Sequence, residues 1–213
     1  MRIIRSIPTL IIMLFAVIAA LNNGISPHIF IFNVLAFLAV TYMSVYIHEY
    51  GHVAAAALVG IRLKGVIIGN SKKVLWKGNV FGLPLFITNR FCGGFTIPET
   101  IERNVPKLQY TFFISGGLLS QLLLTLFVYA IFGVKDLSYL LTGGVSLSTV
   151  FIISNSVMIL VSIFPLHNDF VGHRVPNDAL ILLRLILNNK PIAEQINETI
   201  TETYNKSVHT DAD

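Results

Sequence analysis

The chain has 213 residues, of which 54% are hydrophobic and only 12% charged, about half the charged share of an ordinary soluble domain. Its net charge of +4 makes no case for nucleic acid, because the basic residues flank apolar blocks, where such residues set membrane orientation. The single cysteine, Cys92, reads as a small packing residue; it excludes an internal disulfide and a cysteine-built zinc site, so any metal must be held by His and carboxylate.

Four apolar blocks follow in chain order. The first, about Ile7 to Leu21 behind Arg2 and Arg5, has two readings, a retained span or a cleaved signal peptide ending near Ala19-Ala20. The second runs from about Ile29 to Val59, the third from Leu108 to Phe132, and the fourth from Leu137 to Phe164. Each of these three exceeds the roughly 20 residues that a helix needs to cross the hydrocarbon core.

Loop charge gives the orientation. The stretch between blocks two and three carries Arg62, Lys64, Lys72, Lys73, Lys77, Arg90, Arg103 and Lys107, whereas Asn22 to His28 carries no Lys or Arg, and the link before block four has only Lys135 beside Asp136. The long basic loop is therefore expected in the cytosol, with both termini on the same side. The expected fold is mainly α, a multi-pass transmembrane helical bundle of about four spans in the cell membrane. Residues 1–187 form the membrane-embedded domain, and 188–213 a polar cytosolic tail. Within the basic loop, Val74-Leu75-Trp76 and Leu85-Phe86-Ile87 are β-prone runs, Gly69-Asn70 and Gly78-Asn79 are turn signals, and Pro84 points to an edge strand or a break.

The second block carries the chemistry. It contains His48-Glu49-Tyr50-Gly51-His52, and residues four apart share one helix face, so both imidazoles can grip one ion. Zinc lowers the pKa of a bound water from 15.7 to about 7, and Glu49 is placed to take its proton and return it to a leaving amine. Three ionisable groups in an apolar span each cost about 2.5–3.5 kcal/mol on insertion scales. That cost favours function over the competing explanation, a polar cluster hydrogen-bonded between helices. With ~1.5 Å rise per residue, His48 lies about 28 Å from Ile29, near the cytosolic side of a core about 30 Å thick. Ala54 to Ala57 then offer small residues for close helix approach.

Two His do not complete a catalytic zinc site, which usually has three protein ligands. The segment after Pro165, on the same side of the membrane, offers His167, Asp169, His173 and Asp178. Asn177 and Asp178 are also natural helix N-caps.

The whole pattern resembles the site-2 protease family of intramembrane zinc metalloproteases, in a minimal form without an inserted PDZ domain. That family joins a His-Glu-x-x-His helix to a later helix ending in Asn-x-x-Pro, followed by an Asp-Gly whose Asp is the third zinc ligand. Ser162-Ile163-Phe164-Pro165 and Asn177-Asp178-Ala179 match these motifs with two departures, Ser162 for Asn and Ala179 for Gly. The resemblance implies Asp178 as the third ligand, with Asp169 as the alternative and His167 and His173 as interfacial polar residues. Ile68-Gly69-Asn70-Ser71 through Phe91-Cys92-Gly93-Gly94-Phe95 resembles the family's membrane-associated β-hairpin region. Ile114-Ser115-Gly116-Gly117-Leu118-Leu119-Ser120 resembles its Ala-Gly-Pro-Leu-x-Asn, with Gly117 for Pro and Ser120 for Asn; there Gly116 and Gly117 read as close-packing residues.

The resemblance implies a zinc metalloendopeptidase with one zinc ion held by His48, His52 and Asp178, and Glu49 as the catalytic base. It implies substrates within the lipid bilayer, either single-span membrane proteins or signal-peptide remnants, and no nucleic acid partner. Two other readings stand beside it: a non-catalytic membrane immunity or regulatory protein that retains the fold, and a transporter or metal-handling channel using the same His pair. The paired, interrupted spans of a transporter are not evident.

Overall fold

The computed structural model describes residues 24, 26–71, 73–89, 93–99, 106–134, 146–170 and 173–187, with the side chains of 168–170 and 173–175 outside that description. The first apolar block, Cys92, the Lys135–Asp136 link and the 188–213 tail also lie outside the described residues. Among the described residues the elements run in the order α1 (Pro27–Val59), β1 (Leu63–Ile68), β2 (Val74–Val80), β3 (Leu83–Thr88), β4 (Gly94–Pro98), α2 (Lys107–Phe132), α3 (Leu147–Ile163), β5 (His167–Phe170), β6 (His173–Pro176) and α4 (Asp178–Leu187).

Among the described residues, α1 and α2 are long and apolar enough to cross a membrane, and α3 is a shorter apolar helix of 17 residues. Leu35, Leu38 and Met43 of α1, and Leu123, Phe127 and Phe132 of α2, are exposed. That pattern suits lipid, where an outward Leu costs nothing and every backbone group is satisfied inside the helix.

The chain divides into two compact units, Met1–Thr41 with Thr125–Ser154, and Tyr42–Leu124 with Asn155–Asp213. In the first, Ser146 caps α3 through its hydroxyl and carbonyl, which meet the Thr149 and Val150 amides. The hydroxyls of Thr41 and Ser154 pair at 2.8 Å, a polar contact of the kind that joins helices in lipid.

The second unit holds a four-stranded sheet in the order β2-β3-β1-β4, with β1 parallel to β3 and antiparallel to β4. Strand β1 is buried on both faces. Val66 and Ile68 pack with Val45 of α1 and Leu85, while Ile67 packs with Ile97, Phe86 and Phe95. The loop expected as a hairpin is thus a small sheet seated on α1.

Two local expectations are corrected. Gly78-Asn79 is not a turn: both residues lie within β2, and a Cβ at Gly78 would strike the Trp76 ring, so this glycine gives the indole room to lie along the strand. The turn falls at Phe81-Gly82, whose φ angles of 52° and 81° suit the primed two-residue hairpin that joins twisted antiparallel strands. Nor does Pro84 mark an edge, since β3 is interior. Pro84 pairs with Asn79 of β2, and the β1 register begins only at Leu85, so the ring sits just outside that ladder.

Helices α1 and α2 touch through glycine. A Cβ at Gly51 would strike the Ser120 hydroxyl and the Gly116 carbonyl, and one at Gly116 would stand 2.6 Å from the Ala55 Cβ. Ser120 Oγ bridges the helices, lying 2.9 Å from the Ile47 carbonyl and 2.8 Å from that of Gly117. Ala55 and Ala56 are buried, whereas Ala54 is exposed and Leu58 beyond the run is exposed as well, so only part of the alanine run serves this packing. Gly51→Val should therefore overpack the crossing and destabilise the chain by about 1–3 kcal/mol. Thermal unfolding in detergent checks this, with a lowered midpoint expected.

Candidate metal centre

Positions 48, 49 and 52 lie in the second half of α1, where the glycine contact presses α2 against it. Asp178 arrives at the first position of α4. The structure brings three donor atoms together: His48 Nε2 and Asp178 Oδ2 are 2.9 Å apart, His52 Nε2 and Asp178 Oδ2 3.2 Å, and the two Nε2 atoms 3.3 Å. Tetrahedral zinc with bonds of about 2.0–2.1 Å would hold its ligand atoms roughly 3.3–3.4 Å apart, so the triangle is close to that size. These three residues form the group among the described side chains that could hold a metal ion.

The hydrogen-bonding pattern around the triangle also asks for a cation. His48 Nδ1–H donates to Gln121 Oε1 at 3.0 Å, and His52 Nδ1–H donates to the Phe113 carbonyl at 2.9 Å. With Nδ1 protonated in each neutral ring, both Nε2 atoms present lone pairs toward the Asp178 oxygen. Three converging acceptors repel one another unless positive charge stands among them. The space is kept open by Gly117, where a Cβ would lie 2.6 Å from both Nε2 atoms. The residues therefore fit a zinc site built from two imidazoles and one carboxylate.

Glu49 is 4% exposed and is held from the sheet side. Thr96 Oγ1 of β4 donates to Glu49 Oε2 at 2.8 Å, and a Cβ at Gly94 would lie 2.7 Å from Oε1. Strand β4 thus fixes the carboxylate and presses close to it.

Asn177 caps α4, accepting the Leu180 amide on its side-chain oxygen and the Ile181 amide on its carbonyl. Capping therefore falls to Asn177, and the Asp178 carboxylate is left to face the imidazoles. Residue 179 is the second residue of α4, a helical position that accepts Ala. His167 stands apart from the triangle, 3.3 Å from Arg184 Nη2. The side chains of Asp169 and His173 are outside the described residues.

Sequence reasoning did not single out Gln121, Thr96 or the Phe113 carbonyl. Gln121 did carry a signal, because an amide side chain in the middle of a largely apolar span calls for a polar partner. Gln121→Leu should weaken zinc binding about 10–100-fold by freeing the His48 ring. Chelator competition on the purified chain reads this, and unchanged affinity would show that the ring needs no such partner.

Comparison with known proteins bears on the same residues. No curated protein matches the chain significantly. The family model described as "Peptidase family M50" matches residues 36–211, a stretch that takes in α1 from its first third onward and all three residues of the triangle. With a match over most of its length, the chain belongs to peptidase family M50, the site-2 protease family of membrane-embedded metalloproteases.

Proposed function

We propose that this chain is a zinc endopeptidase that hydrolyses peptide bonds of membrane-embedded substrates near the cytosolic face. The observation that carries the reading is the convergence of His48, His52 and Asp178 on a single triangle, with the Glu49 carboxylate in the next position of the same helix.

Zinc held by these three residues would supply Lewis acidity to the scissile carbonyl and to the attacking water. The protein does the rest. Gln121 and the Phe113 carbonyl hold the two rings with Nε2 directed inward. Glu49 takes a proton from the attacking water and passes it to the leaving amine. Because Oε2 accepts from Thr96, Oε1 is the oxygen left for that proton, and Gly94 leaves room beside it. Deep burial of Glu49 keeps bulk water from competing for the same proton.

A substrate helix must unwind before its carbonyl can be attacked, and a strand edge can capture the extended segment by β-addition. In this reading the four-stranded sheet is the source of that edge. The terminal strands of the sheet are β2 and β4, and β4, Gly94–Pro98, is the one in contact with Glu49. A segment laid along β4 would bring its backbone toward the catalytic carboxylate.

The wider reading has four spans with both termini cytosolic, residues 1–187 as the protease domain and 188–213 as a cytosolic tail. Single-span membrane proteins or signal-peptide remnants are the substrates. Co-expression with a tagged single-span substrate tests the activity. Glu49→Gln should lower cleavage by about 10²–10⁴-fold, the usual contribution of a general base, while zinc stays bound. Undiminished cleavage, or a cellular phenotype indifferent to this substitution, would favour the non-catalytic immunity or regulatory role.

A further inference from the structure

Strand pair β5–β6 is an insertion between the end of α3 and the start of α4. It separates Pro165 from the proposed third ligand, and its base is closed by one residue. Asn177 Nδ2–H donates to the Phe164 carbonyl at 2.7 Å, and Asn177 Oδ1 accepts the Leu166 amide at 3.0 Å. The Asn177 amide donates back to the Leu166 carbonyl at 2.9 Å. The same Oδ1 also caps α4 by accepting the Leu180 amide at 3.1 Å. One amide side chain therefore joins three backbone segments, the end of α3, the strand base and the first turn of α4.

We propose that Asn177 is a positioning residue that sets Asp178 on the metal by clamping the first turn of α4 to the end of α3. The argument begins with α4 itself. It has 10 residues, too short to be stable alone. It docks through Leu185, with Ile181 and Leu182, against Ala56, Tyr110, Phe113 and Ile114. Apolar packing of this kind holds a helix against its neighbours but resists sliding along the axis only weakly, since small shifts exchange similar contacts. A ligand needs its donor atom held to within about 0.5 Å. Directional hydrogen bonds at the N-terminus supply that restraint, and Asp178 is the next residue after them.

The chemistry selects Asn. The position must accept two N–H groups and donate to one carbonyl across the base of an insertion. Asp lacks the donor, and Ser is too short to reach Phe164 and Leu166 while capping Leu180. The clamp also lets β5 and β6 stand between Pro165 and Asp178 without displacing the ligand, because Leu166 and Asn177 are paired directly.

This inference rests on Asp178 being a metal ligand, so the test includes Asp178→Ala. The full chain and the variants Asn177→Ala, Asn177→Ser and Asp178→Ala are purified in detergent. Zinc affinity is measured by chelator competition, the ligand field by the visible spectrum of the cobalt-loaded chain, and helix content by circular dichroism. Asn177→Ala should weaken zinc binding by about tenfold or more and alter the cobalt spectrum, with helix content unchanged. Asn177→Ser, which restores a cap but not the clamp, should fail to rescue either readout. Wild-type zinc affinity and cobalt spectrum in Asn177→Ser would overturn the clamp, and this variant decides the matter if Asn177→Ala does not fold. If Asp178→Ala loses zinc while both Asn177 variants keep it, the clamp alone is wrong. If Asp178→Ala binds zinc as the wild type does, the ligand assignment fails and the clamp with it.

Discussion

Two imidazole nitrogens and a carboxylate oxygen are held face to face inside a largely apolar chain, and much of the second compact unit is arranged to keep them there. When each ring is neutral and gives its one hydrogen, on Nδ1, to Gln121 or Phe113, none of the three can donate to another. Left without a cation the arrangement would be repulsive, and in low dielectric that repulsion is poorly screened. A divalent ion would turn the same geometry into a source of stability, since binding energy for a metal is also folding energy for the elements that carry its ligands.

The supporting structure can be read outward from that triangle. Glycine at 51 and 116 lets α1 and α2 approach until Gln121 and the Phe113 carbonyl reach the rings. The sheet is seated on α1 through Val45, Val66 and Ile68, which carries β4 to Glu49 and places Thr96 on its carboxylate. The core formed by Ala56, Tyr110, Phe113, Ile114 and Leu185 brings α4 to the same place from the other end of the chain. Each functional side chain thus has a partner on a different element, as a site needs when its groups must stay fixed in one geometry.

What could be read from the sequence follows the range of the interactions. The convergence of His48 and His52 is legible because helix periodicity alone puts them on one face. The extents of α1 and α2 were legible because length and apolarity suffice. Asp178 needed the family resemblance, since the residues alone left Asp169, His167 and His173 equally open. Gln121 and Thr96 were not found because their roles exist only after segments distant in sequence have packed. The sheet is only partly legible for a related reason. A hairpin is visible in local turn signals, but the pairing of β1 with both β3 and β4 is non-local. Gly78 reads as a turn in the sequence because its purpose, room for Trp76, is invisible until the strand forms.

The most direct measurement of the central claim is zinc K-edge X-ray absorption on the purified, metal-loaded chain. The account predicts one zinc per chain, surrounded only by nitrogen and oxygen, with two imidazoles at about 2.0–2.1 Å. A spectrum showing sulfur at about 2.3 Å, fewer than two imidazoles, or no stoichiometric zinc at all would contradict it.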